Sequence, residues 1–197
     1  MKKISLILLS TFFVLSFNTT KAGDKEDKHE KVGGIRAGWQ YSGIYESGSL
    51  PTGYDPMSAF YVGLFKDVKI IPLLRFGLGL EYSQVGLVSD NSNIDNSLKL
   101  HYLYVPLYLK VKLGPVFALG GASPGFKVGE KLVVLGQEVS LNNDNKANAF
   151  DVPLFLGAGL KILFISVEVR YNWGMINVYD NPSAKNQYLQ VGAAISF

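Results

Sequence analysis

Tyr188-Leu189-Gln190-Val191-Gly192-Ala193-Ala194-Ile195-Ser196-Phe197 closes a sequence of 197 residues, and its side chains alternate in character. Leu189, Val191, Ala193, Ile195 and Phe197 fall on one face of an extended strand, and Tyr188, Gln190, Gly192, Ala194 and Ser196 fall on the other. At the opposite end, Lys2 and Lys3 precede an apolar run over residues 4–17, and Asn18-Thr19-Thr20-Lys21-Ala22 follows as a polar stretch containing small residues. That layout is a secretory signal peptide, and the run falls short of the roughly 20 residues with which a helix crosses hydrocarbon. Cleavage is expected after Ala22, so that the mature chain starts at Gly23. An exported chain whose last strand is half apolar and ends in Phe reads as an outer-membrane β-barrel, closed by that strand. Val191, Ile195 and Phe197 then form the terminal signal for insertion by the barrel-assembly machinery.

Composition removes several alternatives. The absence of cysteine excludes disulfides and a lipid-modified cysteine at the cleavage point. No second apolar segment reaches spanning length without Gly, Pro or charge, so any crossing is by strands. The net charge of +3 is modest, and Lys and Arg are scattered rather than clustered, which argues against a nucleic-acid partner. The mixed-charge run from Asp24 to Lys31 reads as a solvated, mobile leader. The expected organisation is a signal peptide over 1–22, a periplasmic leader over 23–32 and a barrel over 33–197.

Two-residue alternation recurs along the mature chain, and no helical period is sustained. Eight strands are expected: Gly34 to Ser42, Ser58 to Lys66, Leu73 to Val85, Leu98 to Lys112, Val116 to Phe126, Ala149 to Lys161, Leu163 to Trp173 and Gln187 to Phe197. The connections alternate long and short. The long ones are Gly43 to Met57, Gly86 to Ser97, Lys127 to Asn148 and Gly174 to Asn186. The short ones are Asp67 to Pro72, Leu113-Gly114-Pro115 and a turn around Lys161-Ile162. An antiparallel up-and-down barrel sorts such connections to opposite rims, with long loops outside the cell and both termini in the periplasm.

Periodicity alone leaves open which face is inside, because a soluble carrier barrel turns its apolar face inward. Composition decides. The polar face is made of Gly, Ala, Ser and Tyr with a few charges, whereas a water-facing surface is rich in Lys, Glu and Thr. Small residues make room in a narrow interior for Arg, Glu and Tyr. Arg36, Arg75, Glu81, Asp151, Glu168 and Arg170 are therefore expected in the lumen, and Leu74, Phe76, Leu78, Leu80, Ile165, Val167 and Val169 against lipid. The second and fifth strands are apolar on both faces, which leaves their orientation open, and the neighbouring pattern turns Phe60, Val62 and Leu64 outward. Tyr41, Tyr82, Tyr171 and Trp173 sit near strand ends beside long loops, where an aromatic belt belongs.

Several segments carry a resemblance. They are Gly34-Ile35-Arg36-Ala37-Gly38, Phe60-Tyr61-Val62-Gly63-Leu64-Phe65, Leu78-Gly79-Leu80-Glu81-Tyr82-Ser83-Gln84-Val85-Gly86, Tyr102-Leu103-Tyr104-Val105-Pro106-Leu107, Phe150-Asp151-Val152-Pro153 and Gly157-Ala158-Gly159-Leu160. With the terminal Phe they make the chain similar to the porin-like, PorT-like family of small outer-membrane barrels of Bacteroidota. The Glu-Tyr-Ser-x-x-Gly and Tyr-Leu-x-Val-Pro-Leu elements are the most distinctive. The sequence departs from that family at Tyr104, where Glu is usual, and at Pro153, where Gly is frequent. The resemblance implies an eight-stranded outer-membrane barrel; one branch of the family serves protein secretion.

Chemistry-bearing residues are few. His29 lies in the leader, so His101 alone remains for acid-base work, and no Ser two residues on pairs with it. It reads as an interfacial histidine, and the chain is not expected to be an enzyme. The acids of Asp90 to Asp95 and the Asn142 to Asn145 run read as solvated loops rather than a metal site. Gly120-Gly121 and Gly157-Ala158-Gly159 resemble phosphate loops only in composition, since no helix follows. No cofactor is implied. The expected role is structural or interactive, through the extracellular loops of a monomer without an open pore, with outer-membrane lipid around it. The alternatives are a subunit of a secretion or envelope-assembly complex and an outer-membrane lipid-modifying enzyme.

Overall fold

The computed structural model describes residues 31–46, 49–89, 96–135, 137–139, 147–179 and 184–197. The expected signal peptide, its cleavage point at Ala22 and Gly23, nearly all of the leader, and the tips of the four long loops lie outside the described residues.

Among the described residues, alternation over long stretches yields strands and no helix. In chain order they are β1 (Lys31–Glu46), β2 (Tyr54–Ile71), β3 (Leu74–Ser89), β4 (Ser97–Tyr104), β5 (Leu107–Leu113), β6 (Val116–Ala122), β7 (Gly125–Val134), β8 (Gln137–Val139), β9 (Phe150–Asp151), β10 (Pro153–Ile162), β11 (Ile165–Tyr179) and β12 (Ala184–Ser196). All pairings are antiparallel, and the ring runs β1, β2, β3, β5, β6, β10, β11, β12 and back to β1. Gly38 of β1 lies opposite Tyr61 of β2 and Gly192 of β12, so the first strand is paired on both sides. The eight strands of the ring close an up-and-down barrel without a free edge.

Three of the expected long strands are divided, and prolines divide them. Pro106 separates β4 from β5, Pro124 separates β6 from β7, and Pro153 opens β10 after the short β9. The three lie at one level on neighbouring strands, and each lends its carbonyl to the next strand: Gly79 N donates to Pro106 O (2.9 Å), Val105 N to Pro124 O (2.8 Å) and Ser123 N to Pro153 O (2.8 Å). Because Pro cannot donate, the ladder is thinned along one seam, where β3 passes from pairing with β5 to pairing with β4. Above the seam, β4, β7, β8 and β9 continue as an extension of the barrel on its long-loop side.

The strands also run further than expected at that end. Gly43, Gly86 and Gly174, each read as the first residue of a long loop, lie inside β1, β3 and β11. A Cβ on Gly86 would stand 1.9 Å from Leu98 O, and one on Gly174 would stand 2.7 Å from Asn186 O, so close strand approach is what requires glycine there. Similarly, the expected loop from Lys127 contains the rest of β7 and a hairpin to β8. At the opposite end the turns are tighter and displaced: Pro72-Leu73, Gly114-Pro115 and Leu163-Phe164. Gly114 (φ +67) and Leu163 (φ 56) hold the left-handed first position that suits the twist of two-residue hairpins.

Candidate functional site

The barrel interior is where the charged residues meet. In β1 the parity that faces Arg36, Gln40 and Ser42 inward turns Ile35, Trp39 and Tyr41 outward. Arg36, Arg75, Glu81, Asp151, Glu168 and Arg170 are all buried. Four of them make one chain of charge: Arg36 donates to Glu168 Oε1 (3.3 Å), Arg170 Nε lies 3.3 Å from the same oxygen, and Arg170 Nη2 donates to Glu81 Oε2 at 2.8 Å. Two cations and two anions alternate, so the chain is neutral as a unit. Removing one partner of a buried pair leaves an uncompensated charge, a loss of about 3–5 kcal/mol.

Amides extend this chain toward the long-loop end. Gln190 Nε2 donates to Glu81 Oε1 (2.9 Å) and to Gln40 Oε1 (3.0 Å), which also accepts from Ser83 Oγ at 2.8 Å. Higher still, Asp151 accepts from Tyr104 OH (3.0 Å) and Asn186 Nδ2 (2.8 Å). Tyr104 therefore donates to an acid rather than adding another. Toward the short turns, Asp67 accepts from Lys110 Nζ and Tyr108 OH, each at 2.6 Å. Arg36 caps this layer, donating to Tyr108 OH at 2.8 Å and lying over the Phe65 ring at 4.6 Å.

Large side chains fit because the facing residue is often glycine. A Cβ on Gly192 would meet Tyr61 OH at 2.3 Å, and one on Gly77 would meet the Tyr108 ring at 2.2 Å. Gly157 and Gly159 serve the same purpose for Arg170 and Phe117, so the stretch that resembled a phosphate loop in composition is an interior floor.

Sequence reasoning missed Asp67 and Lys110, because Asp67 was read as part of a turn. The signal was its parity with Tyr61 and Phe65. It also missed the nature of the upper lumen. Ile44, Val85, Leu87, Leu100, Val178 and Tyr188 form a buried apolar cluster above the polar network, inside the extension. The lumen is thus polar in its lower part and greasy at its long-loop end.

The outer wall carries Phe76, Ile165, Val167, Val169, Val191, Ile195 and Phe197 as exposed side chains, with Leu74, Leu78 and Leu80 half-buried among them. Phe60, Val62 and Leu64 are exposed on β2. Aromatic groups form a row on this wall: Tyr171 against Trp173 (4.7 Å between centroids), Trp39 against Tyr41 (5.8 Å), Phe60 against Tyr82 (5.8 Å) and Phe126 against Phe150 (5.2 Å). His101 belongs to the same row. Its Nδ1 lies 2.6 Å from Tyr82 OH and its ring stacks on that tyrosine, which gives it a partner on the wall.

A wall of exposed apolar side chains around a charged interior is the inverse of a water-soluble protein, and it fits a cylinder whose solvent is lipid. Residues 15–180 match the family described as outer membrane protein beta-barrel domain. No curated protein matches the sequence. Among solved structures, Neisserial surface protein A is 15% identical, with 84% of this chain aligned to 97% of that one at a TM-score of 0.56. Ail, the attachment invasion locus protein of Yersinia pestis, is 19% identical over 85% of this chain and 99% of its own, at a TM-score of 0.49. OprG of Pseudomonas aeruginosa is 13% identical over 88% and 99%, at 0.43. At such identities the likeness concerns the fold, and the first of them has the same closed cylinder. With most of its length matched, the chain belongs to the outer-membrane β-barrel protein family and is a small outer-membrane β-barrel.

Proposed function

We propose that the chain is a closed outer-membrane barrel that holds a rigid β-structured platform outside the cell, on which the long loops contact a partner. The observation that carries this is the mismatch between strand length and membrane. β1, with 16 residues, at about 3.3 Å per residue and a tilt of about 40° rises about 40 Å, against an apolar band about 25 Å tall. The excess lies beyond the aromatic row, where an apolar cluster stiffens it. The filled lumen argues against transport. In this reading residues 1–22 are a removed signal peptide, 23–32 a periplasmic leader, and 33–197 a monomeric barrel inserted by the assembly machinery with both termini in the periplasm.

Two measurements test it. In planar bilayers the purified chain is expected to give no conductance steps; regular steps of porin size would end the closed-barrel reading. Cells whose only copy has residues 90–95 and 140–146 replaced by short Gly-Ser links are expected to behave as the deletion strain in adhesion to surfaces and other cells. Full restoration by that variant would refute the platform.

A second reading is favoured by the opposite rim, where Leu73, Leu113, Leu163 and Phe164 are exposed on or beside the short turns. As in the PorT-like branch of Bacteroidota barrels that the sequence resembles, this rim and the leader would contact secretion or envelope-assembly proteins. Deleting residues 24–31 would then reduce secreted proteins while the barrel still inserts; unchanged secretion counts against it.

A further inference from the structure

The polar network leaves space in the lumen at its short-turn end. At the short-turn mouth lies a cavity of about 250 Å3, lined by Phe65 and Phe117 together with residues of β1, β5 and β10 among others. That is below the about 300–1,000 Å3 of sites for drug-sized ligands, so it suits a small group.

Its charge is unbalanced. Among the described residues five cationic side chains line it against two carboxylates, Asp67 and Glu168, an excess of three positive charges. Both carboxylates are already shared: Asp67 takes Lys110 and Tyr108, and Glu168 takes Arg36 and Arg170. Of the other three cations Arg75 is buried, and Lys112 and Lys161 are only half-buried. Among the described residues neither has a carboxylate within ion-pair distance, and Lys161 Nζ donates to Ser196 Oγ at 2.9 Å. Sequence parity explains how they meet, since Lys110 and Lys112 continue the inward face of β5, and Lys161 that of β10 after Gly157 and Gly159. Like charges converging at the low-dielectric mouth of a packed barrel repel one another and focus a positive potential on the space between them.

We propose that this mouth is a binding site for an oxyanion, a phosphate group in particular, with Lys112 and Lys161 as its principal ligands and Ser196 Oγ as a further donor. Lysine acts here as a strongly hydrated point charge on a flexible stem, which suits a phosphate entering from solvent. In the outer-membrane orientation the mouth faces the periplasm. Two sources offer the same chemistry: free inorganic phosphate and the headgroup of an inner-leaflet phospholipid, whose glycerol would lie beside the exposed Leu163. The site is independent of the loop platform, so failure of one reading leaves the other standing.

The test uses the full folded chain in octyl glucoside, a phosphate-free nonionic detergent, with phosphorus NMR titrations of inorganic phosphate and of dihexanoylphosphatidylglycerol. Saturable binding is expected for at least one probe. It should weaken at least tenfold in the Lys112→Gln/Lys161→Gln variant and stay unchanged in Lys99→Gln/Lys185→Gln, which removes the same charge at the other rim. Heat-modifiable migration on a gel reports that each variant is folded, and Lys161→Gln alone serves if the double variant is not. Binding of inorganic phosphate assigns a free anion, and binding of the lipid alone assigns a headgroup. No saturable binding of either probe, or equal behaviour of the two double variants, overturns the proposal.

Discussion

Arg170 is among the most completely buried side chains of the barrel and touches both carboxylates of the central charge chain. Its guanidinium also lies over the Tyr61 ring at 5.0 Å, so shape, charge and cation–π contact coincide in one residue. Arg170→Met keeps volume but takes from Glu81 the guanidinium that pairs with it and leaves Glu168 with Arg36 alone. A loss of about 3–5 kcal/mol is expected, read as a lower urea midpoint for unfolding from vesicles. Replacing Glu81 by Gln in the same chain removes the charge that Arg170 had balanced, so the Arg170→Met/Glu81→Gln variant should recover part of that loss. If the double variant is no more stable than Arg170→Met alone, the coupling between the two residues is not electrostatic. Residue by residue, the lumenal charges were readable because alternation is strict and because Arg and Glu on a lipid-facing wall are so costly. Asp67 escaped because a carboxylate near a Pro-containing turn is usually a turn residue.

Elements were legible where their faces differ and illegible where they do not. β3, β11 and β12 read correctly from apolar and polar residues in alternation, whereas above the seam both faces of the wall become apolar, and the inside loses its polar signature. Gly43, Gly86 and Gly174 then looked like loop starts, although close strand approach is the reason for two of them. Pro106, Pro124 and Pro153 were each visible singly; their alignment into a seam depends on register, which no local pattern reports. The extension is held by its own cluster, so it is expected to open independently of the barrel below. Leu100 is fully buried at the centre of that cluster, and Leu100→Ala should cost about 2–5 kcal/mol there. The expected outcome is trypsin cleavage at Lys99, Lys127 or Lys131 in folded, membrane-inserted protein, while the fragments carrying β5, β6 and β10 to β12 stay protected. Resistance equal to that of the unaltered chain would mean that the seam does not uncouple the two parts.

At the scale of the whole molecule, closure depends on one pairing between chain ends. β1 and β12 are in register from Gly34 opposite Ser196 to Glu46 opposite Ala184, and Phe197 completes the seam by exchanging backbone hydrogen bonds with Gly33. In hydrocarbon an unpaired edge leaves every N–H and C=O along it without water, which costs several kcal/mol per group. The side chain of Phe197 plays no part in that ladder. It stands outside, 78% exposed, on the apolar wall. Two variants separate these roles. Removing residues 188–197 strips β1 and β11 of most of their shared partner, so no heat-modifiable species should form even in detergent. Phe197→Ser keeps all the backbone pairing and should fold in detergent as the unaltered chain does. If insertion by the assembly machinery, as proposed, uses the aromatic side chain at 197, the variant should reach the outer membrane of cells in smaller amount. Normal outer-membrane abundance of Phe197→Ser would confine the terminal residue to a structural role, and the last strand would then act in closure alone.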